Sequence, residues 1–256
     1  MKDKISVFII TCNEERILDK CLNKLSWVDE VVIVDSGSTD ATLEICKKYN
    51  VKVFHKDFNG FGEQKQFALE QTSNEWVLSL DADEILSDEL INEIQSVIKS
   101  DTPIKGYYIK RKHVFLGKIF NYGHESKQYI LRLFKKNNGR FDGQKVHESI
   151  ILEGETARLT SDFLHFTTRS LDSYVEKLNK YASIYAEGKY LKSKKYSILE
   201  IFVKVKLEFF IVYILNFNFL NGKEGFYWSY LAAYYSGLKY IKTNEQYKEV
   251  KKQLLF

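Results

Sequence analysis

The chain has 256 residues, of which 45% are hydrophobic, and a formal net charge of +4, so it is long enough to bury a substantial core within single-domain range. Its three cysteines, Cys12, Cys21 and Cys46, form no metal-binding spacing and leave one thiol over in any pairing. This cysteine use indicates a reducing compartment rather than a disulfide scaffold, and we expect a cytoplasmic protein without a cleavable signal sequence.

The first hundred residues alternate strand and helix patterns. Residues 5–11 (ISVFIIT) form a β-branched apolar run, and helical spacing follows directly over 12–18. Residues 30–35 (EVVIVD) repeat the plan, with a Gly/Ser turn and a helix over 41–49. A third strand over 51–54, a loop over 57–62, a helix over about 63–71 and a fourth strand over 75–80 complete the pattern. Successive β-α units predict an α/β fold with a doubly wound, mostly parallel sheet.

Polar residues follow the predicted strands at their carboxyl ends, where ligands bind in such sheets. Asp81 and Asp83 end the fourth strand, so one carboxylate can meet a ligand's hydroxyl groups while the other binds Mg²⁺ or Mn²⁺. That arrangement suits a sugar nucleotide. An acidic turn opening the next helix at Ser87 would give the same pattern, and Asp35 and Asp40 also fit turn and cap positions.

Missing motifs exclude several nucleotide-binding and phosphate-transfer classes. No G-x-G-x-x-G follows the first strand, and the chain has no G-x-x-x-x-G-K-[ST], which argues against nicotinamide, flavin and P-loop sites. A haloacid-dehalogenase-like phosphatase would carry its D-x-D pair after the first strand, whereas here the pair follows the fourth.

Three segments resemble the signature of family 2 inverting glycosyltransferases with the GT-A fold: residues 8–14 (FIITCNE), 34–40 (VDSGSTD) and 80–84 (LDADE). Four later segments are similar to a bacterial branch that contains lipopolysaccharide inner-core β-glucosyltransferases: 59–66 (NGFGEQKQ), 132–134 (RLF), 146–148 (VHE) and 164–166 (LHF). The chain departs from the branch pattern at Phe58 and Asn59, where an aromatic residue usually precedes Gly-Phe-Gly. The resemblance implies metal-dependent inverting transfer of a hexose, with UDP-glucose as expected donor and a lipopolysaccharide core or other lipid-linked glycan as acceptor.

The same resemblance implies roles for individual residues. Glu148 would be the general base, with His147 orienting a loop or the substrate. Asp83 and His165 would bind a divalent cation, and imidazole beside carboxylate favours Mn²⁺ over Mg²⁺. Asp81 would contact the ribose and Lys65 the base or diphosphate. The complete set implied for the nucleotide sugar is Thr11, Asn13, Glu14, Asp35, Lys65, Asp81, Ala82 and Asp83. Arg132 and Lys135 either neutralise phosphate or are ordinary surface cations.

Charge is divided unequally along the chain. Residues 1–100 carry 11 Lys/Arg against 19 Asp/Glu, and residues 101–256 carry 27 against 15. The single proline, Pro103, marks this division. We predict a catalytic domain over 1–170, with a nucleotide-sugar half over 1–100 and an acceptor half over 101–170, and a helical appendage over 171–256. The basic surplus suits an anionic membrane surface or an acidic acceptor; nucleic acid is disfavoured because no recognition motif accompanies the charge.

Two aromatic segments of the appendage, 197–220 and 225–242, are apolar but interrupted by charges. They are too interrupted to span a bilayer, and their lysines and tyrosines suit attachment to the cytoplasmic membrane face. A helical pair packed on the catalytic domain and an oligomer interface remain alternatives for this appendage.

Two other functions of the protein also stay open. A sugar-phosphate nucleotidyltransferase would need a Gly-rich basic loop after the first strand, where this chain has residues 11–14 (TCNE) with an acidic Glu14, and a non-catalytic sugar-nucleotide scaffold would not need Glu148.

Overall fold

The computed structural model describes residues 4–144, 148–168, 170–190 and 195–253. The chain forms two compact units, one of Met1–Lys112 with Gln128–His165 and the other of His113–Lys127 with Phe166–Phe256. The functional domain boundary that the sequence places at residue 170 stays a prediction.

The first unit begins with four parallel strands: Ile5–Thr11 (β1), Glu30–Asp35 (β2), Lys52–His55 (β3) and Trp76–Asp81 (β4). They pair in the order β3-β2-β1-β4. The helices between them are Leu18–Asn23 (α1), Thr42–Cys46 (α2) and Phe61–Glu70 (α3). The predicted α/β fold with a parallel, doubly wound region is therefore confirmed.

The predicted start of the first helix is wrong by several residues. Helix α1 begins at Leu18, whereas helical spacing predicted a helix from residue 12. Asn13 has a positive φ of 57°, and its backbone N–H donates to Ser38 Oγ over 2.9 Å. A left-handed residue interrupts a right-handed helix, so residues 12–17 form a loop instead. Helix α2 likewise ends at Cys46, earlier than the predicted residue 49.

The remaining strands of this sheet include several antiparallel pairs. The elements are Glu84–Leu86 (β5), Asp88–Val97 (α4), Gly106–Phe115 (β6), Lys118–Ile119 (β7), Tyr129–Lys135 (β8), Gly139–Phe141 (β9), Ile150–Leu152 (β10) and Thr156–His165 (β11). The strand order continues from β4 through β8, β6 and β11 to β5, with antiparallel registers for β4-β8, β6-β8 and β5-β11. Strands β9 and β10 form a separate two-stranded sheet, and β7 pairs with β6.

Both faces of β1, β2 and β4 are buried. Val7, Ile9 and Leu78 belong to one apolar cluster, while Phe8 and Val77 belong to a second. Because side chains alternate between faces along a strand, each of these three strands contributes to both clusters. The strand ends are thereby fixed by packing on two sides, which gives the residues that follow them a rigid support.

The second unit is mainly helical, as the predicted C-terminal appendage requires. Its helices are Leu171–Tyr190 (α5), Ile198–Phe210 (α6) and Lys223–Gln253 (α7), with a π-helical turn over Ile211–Leu215 and a 3₁₀ turn over Asn218–Asn221 after α6. Phe115, Phe120, Leu178 and Leu231 form its buried core. Within the described part of the chain, no helix is both long and apolar enough to cross a membrane.

Candidate active site

The carboxyl ends of three adjacent strands bring several predicted site residues to one edge of the sheet. Thr11 pairs with Asp35 in the β1-β2 register, and Ile10 pairs with Asp81 in the β1-β4 register. Thr11 Oγ1 is buried and has no hydrogen-bond partner among the described residues. A buried hydroxyl costs free energy unless it is paired, so Thr11 offers this edge a polar atom for a ligand.

The loops after β1 and β2 hold each other in place. The Asp35 carboxylate accepts hydrogen bonds from the backbone N–H groups of Gly37 and Ser38, at 2.8 and 2.9 Å. Asn13 Oδ1 accepts from Thr39 N–H at 2.8 Å, while the backbone N–H of Glu14 donates to Thr42 Oγ1 at 2.8 Å. Asp35 thus has the turn role considered from the sequence and also lies at the ligand edge. The nucleotide-binding roles of Asn13, Glu14 and Asp35 stay predictions.

Asp81 lies between two cations that come from distant parts of the chain. Its Oδ1 is 2.8 Å from Lys65 Nζ, and its Oδ2 is 2.7 Å from Arg132 Nη2. The side chains of Lys65 and Arg132 are only 5% and 6% exposed. Burial by itself raises the pKa of the Asp81 carboxyl, but Arg132 and Lys65 outweigh it and hold that pKa well below its usual range. Asp81 is therefore a charged group with a fixed orientation.

Glu148, the predicted general base, contacts the same lysine. Lys65 Nζ donates to Glu148 Oε1 over 2.7 Å, and the Glu148 side chain is 17% exposed. The chain leading toward Glu148 is anchored on helix α3, because Gly62 N–H donates to the Gln144 carbonyl at 3.0 Å and Phe141 N–H donates to Gln66 Oε1 at 2.9 Å. His147, predicted to orient a loop or the substrate, lies outside the described residues.

Two residues around this site, the buried Glu84 and the partly exposed Arg111, were assigned no role from the sequence. Glu84 accepts from Arg132 Nη2 over 2.5 Å and from the backbone N–H of Asp81 over 3.0 Å. Burial and, to a lesser extent, the neighbouring Asp81 and Asp83 raise the pKa of Glu84 against the opposing effect of Arg132. Arg111, whose guanidinium donates to Gln128 Oε1, has its pKa lowered mainly by burial, with nearby Glu84 acting in the opposite direction. The signal for Glu84 was its position directly after Asp81-Ala82-Asp83, whereas Arg111 lies between Lys110 and Lys112 in β6 and carried no signal of its own.

Asp83 and His165, the predicted cation ligands, lie beside each other. His165 Nε2 is 3.4 Å from Asp83 Oδ2, and the β5-β11 pairing brings them together by placing His165 opposite Glu84. His165 Nδ1 is buried without a partner among the described residues. Two ligands held about 2.1 Å from one cation are roughly 3.0–3.5 Å apart, so this pair fits a hard divalent ion.

Two protein ligands are few for a resident metal ion. The described residues contain no cluster of three or more His, Cys, Asp or Glu side chains placed to hold one. Mg²⁺ and similar ions commonly take one or two carboxylates from the protein and complete their coordination with water and substrate phosphates. The donor set therefore suits an ion that binds together with a diphosphate rather than alone.

The remaining predicted residues divide between this site and the rest of the unit. Ala82 is buried between the two aspartates, at 4% exposure. Lys135, considered as a phosphate ligand, lies instead at the opposite end of β4, where it pairs with Trp76 in the register and contacts Glu75 at 2.7 Å. Arg132 is not a surface cation, because both of its carboxylate partners, Asp81 and Glu84, lie in the site.

Comparison with known proteins identifies relatives of similar length. The family model described as glycosyl transferase family 2 matches residues 6–151. The lipopolysaccharide core biosynthesis glycosyltransferase LpsC of Rhizobium meliloti is 32% identical over 95% of this chain and 93% of its own length. An uncharacterized glycosyltransferase of Rickettsia typhi is 31% identical over 94% of this chain and 87% of its own.

Solved structures show the same fold. Residues 1–349 of TarS from S. aureus, in a complex with UDP-GlcNAc, align with a TM-score of 0.50 over 98% of this chain and 92% of that one, at 17% identity. At that identity the likeness concerns the fold alone, and it agrees with the α/β fold and C-terminal helices described above.

Proposed function

The chain belongs to glycosyltransferase family 2, and we propose that it is a metal-dependent inverting hexosyltransferase. Its donor is a UDP-linked hexose, with UDP-glucose first, and its acceptor is a lipopolysaccharide core or another lipid-linked glycan. The acceptor class is supported by the name of the R. meliloti relative, which covers nearly the whole chain. The UDP donor is supported by the shared family and by an edge that combines strand-end aspartates with buried cations.

One observation carries the proposal: Lys65 contacts both Asp81 and Glu148, at 2.8 and 2.7 Å. One ammonium group, that of Lys65, therefore contacts both Asp81, which is assigned to the donor, and Glu148, which is assigned to accept the proton of the acceptor. Attack on an anomeric carbon requires these functions within one small site.

In the proposed reaction, Glu148 accepts the proton from the acceptor hydroxyl as that oxygen attacks the anomeric carbon from the face opposite the leaving diphosphate. Lys65 fixes the orientation of the Glu148 carboxylate. Arg132 and Lys65 fix Asp81, which is thereby presented to the ribose hydroxyls. Single displacement inverts the anomeric configuration without a covalent enzyme intermediate.

A divalent cation, Mn²⁺ or Mg²⁺, would be held by Asp83 and His165. When bound, it supplies positive charge that stabilises the leaving diphosphate. The carboxylate and imidazole donors are suited to either ion, with imidazole favouring Mn²⁺.

The protein is also proposed to act in the cytoplasm on the inner face of the membrane, where a lipid-linked acceptor is accessible. Support comes from the exposed apolar side chains of the second unit, among them Ile198, Leu199 and Phe202, at 88%, 70% and 54% exposure. Exposed apolar surface of this extent on one helix is typical of an interaction site. A nucleic-acid partner is not part of the proposal.

The test is calorimetric titration of the purified protein with UDP-, GDP- and dTDP-hexoses, with and without Mn²⁺, followed by transfer assays. We expect Mn²⁺ to strengthen UDP-hexose binding at least 10-fold, and Asp83→Ala or His165→Ala to remove that gain. The matched control is His55→Ala, a histidine with a 65% exposed side chain beside Asp57.

Glu148→Gln is expected to reduce transfer at least 100-fold, in line with typical general-base contributions of about 10²–10⁴, while UDP-hexose binding stays within 2-fold. Binding without transfer in the unaltered protein, across hexose donors and lipid-linked acceptors, would favour the scaffold alternative. Unchanged transfer by Glu148→Gln would remove Glu148 as the base.

A further inference from the structure

Helices α6 and α7 of the second unit enclose an apolar groove of about 790 Å³. Its walls include Val205, Phe209, Ala233, Leu238 and Ile241. This volume falls within the roughly 300–1,000 Å³ of sites that hold small molecules. Ile241 is 55% exposed, so the groove opens to the surface of the unit instead of forming a closed core cavity.

Helix α6 reverses the usual arrangement of a water-soluble helix. Six of its apolar side chains are exposed and recur at helical spacing: Ile198, Leu199, Phe202, Val203, Leu207 and Phe210, between 49% and 88% exposed. Of its charged residues, Glu200 and Lys206 are exposed as well, while Lys204 and Glu208 are partly covered. An amphipathic helix in water normally keeps its apolar side chains covered, so the outer side of α6 is built to meet an apolar phase.

The charge in the groove wall is positive. Lys206 is exposed and is the one charged residue among the described residues of the wall, and its Nζ lies 4.3 Å from the ring centre of Phe202. Lys204 and Lys239 lie outside the wall, 5.2 Å from the ring centre of Tyr240 and 4.6 Å from that of Tyr235. An apolar groove with an exposed ammonium group in its wall is complementary to a molecule with an aliphatic tail and an anionic head.

We propose that this groove binds one acyl chain of an anionic phospholipid in the membrane on which the protein docks. The chain lies against Val205, Phe209 and Ala233, and Lys206 contacts the phosphate. This proposal rests on the proposed membrane attachment and adds a defined lipid site to it. A second copy of the chain is a poorer occupant, because a two-fold interface would bring the groove of one copy, with Lys206 in its wall, against the same groove of the other.

The groove is tested without any membrane by titrating the full chain with cis-parinaric acid, a fatty acid whose fluorescence rises in apolar sites, below its aggregation concentration. We expect saturable binding that Ile241→Glu weakens at least 10-fold. Ile184→Glu is the matched control, since Ile184 is equally exposed, at 54% against 55%, but lies on α5 outside the groove wall. Both substitutions are at exposed positions, and thermal unfolding followed by circular dichroism checks that both variants fold.

Vesicle sedimentation then separates this site from membrane attachment in general. We expect binding to equimolar phosphatidylcholine and phosphatidylglycerol vesicles, weaker binding to phosphatidylcholine alone, and at least a 5-fold loss in Lys206→Glu relative to Lys223→Glu. The control is Lys223, because its side chain is 76% exposed and it does not line the groove.

Two results would overturn the lipid site even where vesicles are bound. One is that the unaltered protein does not bind parinaric acid, and the other is that Ile241→Glu binds it as tightly as the unaltered protein. A dimer that Ile241→Glu dissociates, without lipid binding, would overturn it in favour of self-association. UDP-hexose titration of the same samples reports the transferase proposal separately.

Discussion

Lys65 and Glu148 are 83 positions apart in the chain, yet Lys65 Nζ lies 2.7 Å from Glu148 Oε1. The lysine is almost fully buried, and Asp81 is its second carboxylate partner. Although burial by itself lowers the pKa of Lys65 and Arg132 lowers it further, Asp81 and Glu148 raise it overall. A permanently charged ammonium group therefore links the two carboxylates of the proposed reaction.

Replacing this ammonium is expected to affect stability and transfer separately. Lys65→Met leaves two partly buried carboxylates without their shared cation, so we expect the free energy of unfolding to fall by about 1–3 kcal/mol. This loss is smaller than the full cost of breaking a buried pair, because both carboxylates retain some exposure. Transfer should fall at least 10-fold. The measurements are urea unfolding at pH 7 and initial rates with UDP-glucose.

The double variant Lys65→Met/Glu148→Gln distinguishes the two effects. Removing the Glu148 charge should restore part of the lost stability without restoring transfer, because the base is absent. Lys56→Met is the control, since Lys56 pairs with Glu63 near the surface. Full transfer by Lys65→Met would refute the positioning role of Lys65.

Arg132 and Glu84 form a buried pair whose members should depend on each other. Arg132→Met leaves the buried Glu84 carboxylate without its cation, and we expect a loss of about 3–5 kcal/mol in unfolding free energy. Adding Glu84→Gln should recover at least about 1 kcal/mol, because neighbours in one network are not additive. A double-mutant cycle by chemical unfolding measures this coupling.

The exposed pair Arg140 and Glu153 is the matched reference, with side chains 61% and 80% exposed and 3.8 Å between the charged atoms. The double-mutant cycle of this pair should give a coupling free energy below about 0.5 kcal/mol, as is usual for surface pairs. Equal coupling in both cycles would show that burial does not set the strength of the Arg132 pair.

Glu30 predicts a pH dependence at the other end of the sheet. Its carboxylate accepts from Ser6 Oγ, Ser73 N–H and Lys52 Nζ, and although burial raises its pKa, these partners lower it to about 2. A depressed folded-state pKa stabilises the protein above the unfolded value, near 4.3, and this contribution is lost as pH falls toward 2.

We expect Glu30→Gln to unfold with about 1–2 kcal/mol less free energy than the unaltered protein at pH 7, and the difference to shrink between pH 5 and 2. Urea titrations at fixed pH values measure it. Glu44→Gln is the control, because Glu44 is 68% exposed in its pair with Lys47. A difference that grows on acidification would contradict the assigned sign.

At Gly62, helix propensity and tertiary contacts have opposite effects on a substitution by alanine. In an isolated helix, Gly→Ala is favourable by about 1 kcal/mol. At Gly62, however, a Cβ would lie 2.7 Å from the Gln144 carbonyl oxygen and 2.9 Å from its nitrogen. Both are backbone atoms of the segment that leads to Glu148.

We therefore expect Gly62→Ala to slow transfer at least 10-fold while UDP binding changes little, since the added methyl group displaces that segment. Steady-state rates and calorimetry on the same preparation measure the two quantities. Glu70→Ala, on the same helix, is the control and should keep full transfer. A faster or more stable Gly62→Ala variant would show that the contact at Gln144 yields readily.

Local patterns determined the strands and their polar ends. The runs over β1, β2 and β4 are apolar, those over β2 and β4 are bounded by acidic residues, and such runs alternate with helical spacing in the order that parallel pairing requires. Because carboxyl ends of parallel strands meet at one edge, Asp35 and Asp81 were placed together from sequence alone, and the registers agree.

Contacts between distant residues decided the rest. The start of α1 depends on the loop around Ser38, which binds Asn13 and holds it in a left-handed conformation. The pairs Lys65-Glu148, Arg132-Glu84 and His165-Asp83 arise because the antiparallel strands and Glu148 lie beside the carboxyl ends of the parallel strands. Periodicity shows which face of an element is apolar, but it does not show which distant charge that element contacts. The acidic edge was therefore determined by the sequence, and its cationic partners by the tertiary structure.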